Sequence, residues 1–296
     1  MSKNGRRSFL RSSAIGLAAL GAAGGQWTQT LFGDPLGIPI GLQLYTVREA
    51  CEQNLPATLK KVADTGYREV ELGSFNYYGR KPGDLRKLLS DHGLACISAS
   101  YTTGMLRSGW DKHIADAREL GAFYMVCASL DPKDRASIDA IRKSADLFNH
   151  CAEQARKAGV GFAYHCHNFD FSIVGGVVGY DELLRSTDPK VVDMEMDCFW
   201  TTMAGKDPVA YFHRYPGRFT LLHIKDLKPG FAPTTGGVKG GNPFTEVGRG
   251  VIDWKRIFEA ARVGGLKYYS VEQDQCDDPP FESIKVSYDY LHHLKV

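Results

Sequence analysis

The chain has 296 residues, 43% of them hydrophobic and 24% charged, which suits one large soluble α/β domain or two small ones. Its formal net charge is +2, but residues 1–25 hold Lys3, Arg6, Arg7 and Arg11 and no acid, and without them 32 basic residues face 34 acidic ones. A body of that balance has no electrostatic footprint for nucleic acid.

The N-terminus reads as an export signal. Gly5-Arg6-Arg7-Ser8-Phe9-Leu10-Arg11 looks like a twin-arginine motif, and a weakly apolar segment follows from Ala14 to about Ala23. That segment is too short for a good membrane span. Small residues at Gly21-Ala22-Ala23 suit a signal peptidase. Residues 1–25 are therefore expected to be a twin-arginine signal peptide, 26–37 a linker and 38–296 a single domain. The expected location is the periplasm, with no stable membrane insertion after cleavage.

From residue 38 the chain alternates. Strands are expected at Ile38 to Tyr45, Arg68 to Leu72, Ala95 to Tyr101, Phe123 to Ala128, Val160 to Tyr164, Met194 to Met196, Phe219 to Leu222 and Tyr268 to Val271. Helices are expected at Leu55 to Thr65, Pro82 to His92, Trp110 to Leu120, Arg135 to Ala158, Tyr180 to Ser186, Pro208 to Tyr215, Asp253 to Val263 and Pro280 to Leu294. The strands are strongly apolar, as parallel strands covered on both faces must be. Gly66, Gly93, Gly121, Gly159 and Gly265 each stand between a helix and the next strand, where glycine supplies the left-handed residue that ends a helix. Eight such units in about 250 residues predict a closed (β/α)8 TIM barrel. An open doubly wound sheet is the other candidate, but it needs an early Gly-rich phosphate turn, and none is present. The Gly-rich stretch Pro229–Asn242 comes late and reads as a lid segment.

Four successive strands each end in a side chain able to bind metal: His165, Asp197, His223 and Glu272. Catalytic residues of such barrels sit at strand carboxyl ends. Two imidazoles and two carboxylates suit one divalent ion of borderline character: Mn, Zn, Co, Ni or Fe. His167 has the side-chain parity of His165 and is assigned to substrate contact or acid/base work. Lys225 has the parity of His223 and would reach a substrate oxygen. Asp226, three residues after His223, is expected to orient an imidazole.

Other strand ends offer polar lining. Gln43 and Tyr45 end the first strand, Glu71 the second and Tyr101 the third. Glu71, an acid between Val70 and Leu72, needs a partner. Trp200 is placed to stack on a sugar ring. Arg249 either clamps an anionic or polyhydroxyl substrate or serves the entry of the next helix, with Asp253 near its N-cap. The seven cysteines are odd in number and include no C-x-x-C, so no disulfide framework is expected.

The chain resembles the xylose-isomerase-like family of sugar phosphate isomerases and epimerases, especially its exported branch. GLQLYTVR at 41–48, REVELG at 68–73, AYHCHNFDF at 163–171, MDCFW at 196–200, AGKDPVAYFHRYPGR at 204–218, HIKD at 223–226, EVGRGVIDW at 246–254 and VEQDQC at 271–276 carry the resemblance. It implies a divalent metal held by residues of strands five to eight, with Asp197, His223 and Glu272 in the usual Asp, His and Glu positions. His165 stands where many members have a Glu that both ligates metal and moves a proton. The two-glutamate epimerase mechanism therefore lacks one partner. An imidazole on a metal cannot also abstract a proton, so His165 is expected to ligate while His167 and Glu272 share proton transfer, with Glu272 favoured as base. The expected function is metal-dependent isomerisation or epimerisation of a small carbohydrate by proton abstraction next to a carbonyl. The alternatives are elimination on a 3-keto-glycoside and a non-catalytic periplasmic sugar binder. A DNA-repair endonuclease shares this barrel, but the acidic balance of the body speaks against that role.

Overall fold

Eight short parallel strands pair in one continuous ring in the computed structural model, which describes residues 34–296. They are β1 (Gly41–Gln43), β2 (Glu69–Leu72), β3 (Ala95–Tyr101), β4 (Tyr124–Cys127), β5 (Gly161–His165), β6 (Val192–Asp197), β7 (Leu221–Ile224) and β8 (Tyr268–Val271). Each pairs with its sequence neighbour, and β1 pairs with β8, Gly41 opposite Ser270, to close the barrel. The leader assigned to residues 1–25 and most of the linker assigned to 26–37 lie outside the described residues.

The helices between strands are α1 (Arg48–Thr65), α2 (Pro82–Asp91), α3 (Trp110–Leu120), α4 (Ile138–Lys157), α5 (Gly179–Ser186), α6 (Pro208–Arg214), α7 (Trp254–Gly264) and α8 (Pro280–His293). Most bounds agree with the sequence reading to within a few residues. The exception is α1, which begins seven residues early. Its backbone breaks at Asn54 (φ −157°, ψ 84°) just before Pro56, and the Asn54 side chain caps the second segment by accepting from Ala57 N at 3.1 Å. The apolar periodicity reports only that second segment. All five predicted helix-ending glycines have positive φ, from 69° to 125°.

Strand alternation divides the side chains between two environments. Leu42, Val70, Leu72, Met125, Phe162, Tyr164, Met194, Met196, Leu222 and Val271 turn outward and join helix residues such as Leu59, Leu85, Phe148, Phe258 and Ile284 in one buried cluster. That shell holds the barrel together. Phe148, for example, packs its ring against Phe162 and Tyr164 at 5.5 and 5.2 Å, and Phe148→Ala should cost about 3–5 kcal/mol. Inward positions carry only a small apolar plug: Ile97, Tyr124, Val126, Ala163 and Leu221. Gly41 of β1 faces this interior. A Cβ there would lie 2.7 Å from Tyr269 O and 2.8 Å from Ser270 Oγ, so the closing seam admits no side chain. Above the plug the inward positions are polar, and bonds run across the barrel: Glu71 of β2 meets His223 of β7 and Ser270 of β8.

The βα connections add short elements that the sequence reading did not contain. A helix, Cys198–Met203, follows β6 directly, and Asp197 caps it by accepting from Trp200 N at 2.8 Å. A two-residue hairpin pairs Asp226–Leu227 with Phe244–Thr245 at the foot of the Gly-rich loop. All seven cysteines are free, and none but Cys276 is more than marginally exposed. Among the described residues no helix is long and apolar enough to cross a membrane.

Candidate active site and metal centre

Strand register assembles the site. It sets His165 opposite Glu195 and Asp197 opposite His223, at the carboxyl ends of β5, β6 and β7. His165 Nδ1 lies 2.9 Å from Glu195 Oε2, and its Nε2 lies 3.8 Å from Asp197 Oδ2. His223 Nδ1 lies 2.9 Å from Glu272 Oε2 and 3.9 Å from Asp197 Oδ2. On its other side His223 Nε2 lies 2.9 Å from Glu71 Oε2 and 3.4 Å from Glu195 Oε2. Each imidazole thus turns one nitrogen toward Asp197 at the strand end and the other toward the Glu71–Glu195 pair beneath. Glu71 is itself fixed by Ser270 Oγ at 2.7 Å and Gln43 Nε2 at 3.3 Å.

Lys225 is buried at the centre rather than lying on the surface. Its ammonium sits 2.7 Å from Glu272 Oε2, 3.0 Å from Asp197 Oδ2 and 3.0 Å from Asp274 Oδ1. Burial alone would discharge this lysine, but Asp197, Asp274 and Glu272 hold it charged well above the usual range. Burial likewise pushes Glu272 up, and Lys225 and His223 more than reverse it, so the carboxylate stays ionised. Glu195 goes the other way: burial and the neighbouring Glu71 charge raise it well above the ordinary carboxylate range. Burial works against a charged His223, yet Glu195, Glu71 and Glu272 raise its pKa far above normal. Burial holds His165 neutral, and His223 and His167 reinforce it.

The residues fit a divalent ion. Ligand atoms of His165, Asp197 and His223 lie within 4.8 Å of one another, and all three residues are buried. Asp197 Oδ2 is buried without a hydrogen bond, as is Glu195 Oε1. Three carboxylates, of Asp197, Glu272 and Asp274, converge on the Lys225 ammonium, and two more, of Glu71 and Glu195, lie beside His223 Nε2. A mixed nitrogen and oxygen donor set with that excess of negative charge is what a borderline divalent ion requires.

Above the centre opens a cavity of about 520 Å³. Of the site residues named from the sequence, Gln43, Tyr45, His165, His167, Trp200, His223, Lys225 and Glu272 line it. Arg48, Phe75, Ser100, Glu195, Phe244, Asp274 and Gln275 line it as well and were not foreseen. Glu195 was legible in principle: it stands two residues before Asp197, and residues i and i+2 of a strand share a face. Glu71 lies in the floor, bonded to His223, rather than in the cavity wall.

His167 stands over the centre with its ring held from behind. It stacks on Phe169 at 5.0 Å with 5° between the planes, and Arg135 covers that ring at 3.9 Å. Asp170 accepts from His167 N and from Tyr164 Oη, both at 2.8 Å, and fixes the backbone. The Nδ1 atom of His167 has no hydrogen-bond partner. Burial, helped by Lys225, lowers its pKa to about 3, so the imidazole is neutral. Asn168 then donates to Thr234 O at 2.9 Å and Gly236 O at 2.8 Å, which ties the Gly-rich loop to the turn that follows β5.

Three expectations need correction. Tyr101 does not line the cavity: it faces outward, its hydroxyl 2.9 Å from that of Tyr77 and its ring edge-on to Trp110, while Ser100 takes the inward position. Arg249 is exposed outside the cavity, beside Glu246 and Asp278, so it clamps no substrate there. Asp226 touches no imidazole. It accepts from Leu227 N, Gly248 N, Gly250 N, Ile252 N and Trp254 Nε1 at 2.8–3.2 Å and so organises the loop before α7. Gly250 is obligatory there, since a Cβ would stand 2.1 Å from Asp226 Oδ1. Asp253 caps α7 as expected, accepting from Arg256 N at 3.0 Å.

Residues 59–291 match the family described as xylose isomerase-like TIM barrel, and the chain belongs to it. An inosose dehydratase of Lacticaseibacillus casei is 27% identical over 86% of this chain and 95% of its own. The crystal structure of a sugar phosphate isomerase/epimerase from Parabacteroides distasonis superposes with a TM-score of 0.76 at 26% identity, covering 90% of this chain and 96% of the other. The IOLI protein, solved with a bound zinc atom, has a TM-score of 0.69 at 16% identity over 85% of this chain and 96% of its own, a likeness of fold.

Proposed function

From its place in that family, we propose that the protein is a metal-dependent lyase that removes the proton next to a carbonyl of a cyclic keto-sugar or keto-polyol and expels the oxygen substituent one carbon further on. The observation that carries this is the pairing of a neutral, unpartnered His167 with a fixed cationic Lys225 around one buried donor cluster. The similarity to inosose dehydratases along nearly their whole length supports elimination over other fates of the same carbanion.

His165, Asp197, His223 and Glu272 would hold the ion, whose contribution is to polarise a carbonyl oxygen as a Lewis acid. The chain's own residues do the rest. His165 bonds Glu195 through Nδ1, and its Nε2, 3.8 Å from Asp197 Oδ2, is the nitrogen that would take the ion, so neither is left for proton transfer. Glu272 Oε2 is pinned between Lys225 and His223, which shifts the role of base from Glu272 to His167. The neutral His167 imidazole takes the α-proton and becomes an imidazolium beside the ionised Glu272. It then gives that proton to the departing oxygen, so base and acid are one residue and no atom is left unbalanced. Lys225 faces the oxygen on which negative charge develops. Trp200 and Phe244 wall the cavity beside it and exclude water.

Isomerisation is the second reading, favoured by the similarity to sugar phosphate isomerase/epimerases. The two separate in D2O. Elimination yields an unsaturated ketone and a released hydroxyl compound; isomerisation yields a carbon-bound deuteron with no loss. Metal-loaded protein is offered inososes, ketoses and 3-keto-glycosides and followed by NMR. His167→Asn should depress turnover at least about 10²-fold with metal content unchanged. Loss of metal in His167→Asn with full activity per remaining ion would overturn its assignment as base.

A further inference from the structure

We infer that the cavity contains an outer subsite, walled by Tyr45 and Phe75, for a substituent carried on the sugar ring, so that the substrate is a glycoside-like keto-sugar rather than a free ring. The inference rests on the elimination reading above for its chemistry, but the subsite itself stands on geometry. Tyr45 is 40% exposed and Phe75 47% exposed, and both line the same cavity as His165 and Lys225. Neither ring belongs to a hydrophobic cluster of the described residues. Exposed aromatic rings that the core does not use, rimmed by polar groups, mark a binding surface.

Tyr45 is held in place. The Arg48 guanidinium lies 4.2 Å from its ring centroid and donates to Tyr45 O at 2.9 Å and to Asp274 O at 3.1 Å. Arg48 thereby joins the end of β1 to the end of β8 and backs one face of the ring. The turn bearing Phe75 is pressed against the same backbone: a Cβ on Gly73 would lie 2.6 Å from Tyr45 N. Two strand-end loops thus present their aromatic rings at one cavity.

Volume supports an occupant larger than one ring. A hexose has twelve non-hydrogen atoms. Even if each is allowed the roughly 30 Å³ that a whole water takes in the liquid, the sugar fills about 360 Å³. The cavity is about 520 Å³. The remainder has room for several further atoms, and its aromatic walls suit a flat apolar or sugar face. In the elimination, the bond from ring carbon to the substituent's oxygen breaks with its electron pair on oxygen. The α-proton ends on that oxygen, and the substituent leaves as an alcohol or phenol. No oxidant is needed, because the substrate arrives as a ketone.

The test uses unoxidised, unreactive probes: methyl and phenyl β-glycosides of glucose, galactose and xylose, titrated calorimetrically into the full chain. At least one sugar should show about tenfold tighter binding of the phenyl member than of the methyl member. In Tyr45→Ala/Phe75→Ala that ratio should fall to about twofold, through loss of phenyl affinity, and the fold should hold because both rings are exposed and their loss leaves the core intact. A ratio unchanged by the double variant overturns the subsite, as does the absence of phenyl preference for every sugar. A second arm separates this from the reaction. If the preference is found and lost as stated but no keto-glycoside is turned over, the elimination reading falls and the subsite stands. If free inososes and 3-keto-glycosides are turned over equally well and the double variant changes neither, the subsite falls and elimination stands.

Discussion

Glu195→Gln separates metal affinity from fold stability. Glu195 Oε2 accepts from His165 Nδ1 at 2.9 Å and lies 3.4 Å from His223 Nε2, so one carboxylate aims both imidazoles at the site above. Glutamine preserves the volume and cannot become the carboxylate that a bound cation favours. A hydrogen bond to a charged group contributes about 1.5–3 kcal/mol net. Carboxylates that orient ligating histidines are worth about 10- to 100-fold in metal affinity, or about 1.4–2.7 kcal/mol. Both figures place the loss near 2 kcal/mol, about thirtyfold in Kd. The fold should not share that loss. Burial and the Glu71 charge hold Glu195 well above the ordinary carboxylate range, so the metal-free protein already carries it uncharged and glutamine costs it no ionic contact. The variant should therefore bind Co²⁺ or Zn²⁺ about thirtyfold more weakly in a chelator competition, while the metal-free protein melts at the same temperature or higher. A Kd within threefold of the parent, or a metal-free melting temperature well below it, would refute the reasoning.

Other consequences are as open to measurement. Glu69 is buried with Oε2 unpaired, and burial together with Glu71 raises its pKa to about 7. A carboxyl raised by folding contributes fully below the unfolded value near 4.5 and loses that contribution as pH rises through 7, up to about 3 kcal/mol. Glu69→Gln should thus raise the melting temperature more at pH 8 than at pH 5, and an equal shift at both sinks the claim. Asp226→Ala strips the acceptor from four backbone amides and the Trp254 indole and should destabilise by about 4 kcal/mol in urea titrations, against a contradicting value under about 1 kcal/mol. We propose, finally, that residues 1–25 direct export by the twin-arginine route. Arg6→Lys/Arg7→Lys should leave precursor in the cytoplasm, and normal periplasmic yield would end that proposal.

The barrel was legible because its strands are apolar and its helices amphipathic at regular intervals, with glycine marking the turns. The strand-end residues followed from position alone; the structure brings ligand atoms of His165, Asp197 and His223 together, with Glu272 beside them, bonded to His223. Glu195 escaped notice because it lies one step below the strand end, between two methionines that mark the strand as buried. Its role depends on which residues of β2 and β7 face it across the barrel, which no local pattern encodes. Tyr101 failed for a related reason: inward parity on β3 belongs to Ser100, and a register shift beside Val70 and Glu71 removes the simple count from the preceding strand. Asp226 was misread because a carboxylate three residues from a histidine can turn to either side. Here it turns to a loop that returns more than twenty residues later.

The division of each strand between an apolar outer row and a polar inner row bears on how such a barrel changes over time. Val70 and Leu72 anchor β2 to the helices while Glu71 between them serves the site, and Met194 and Met196 do the same around Glu195. Inner positions can therefore drift without dislodging the shell that keeps the chain folded. An imidazole at position 165, where the family resemblance implies a glutamate, is the kind of exchange this arrangement tolerates. The scaffold has the makings of an evolvable one: new reactions are reached by swapping side chains at the strand ends, with selection on folding and selection on chemistry acting on alternate residues of the same strand.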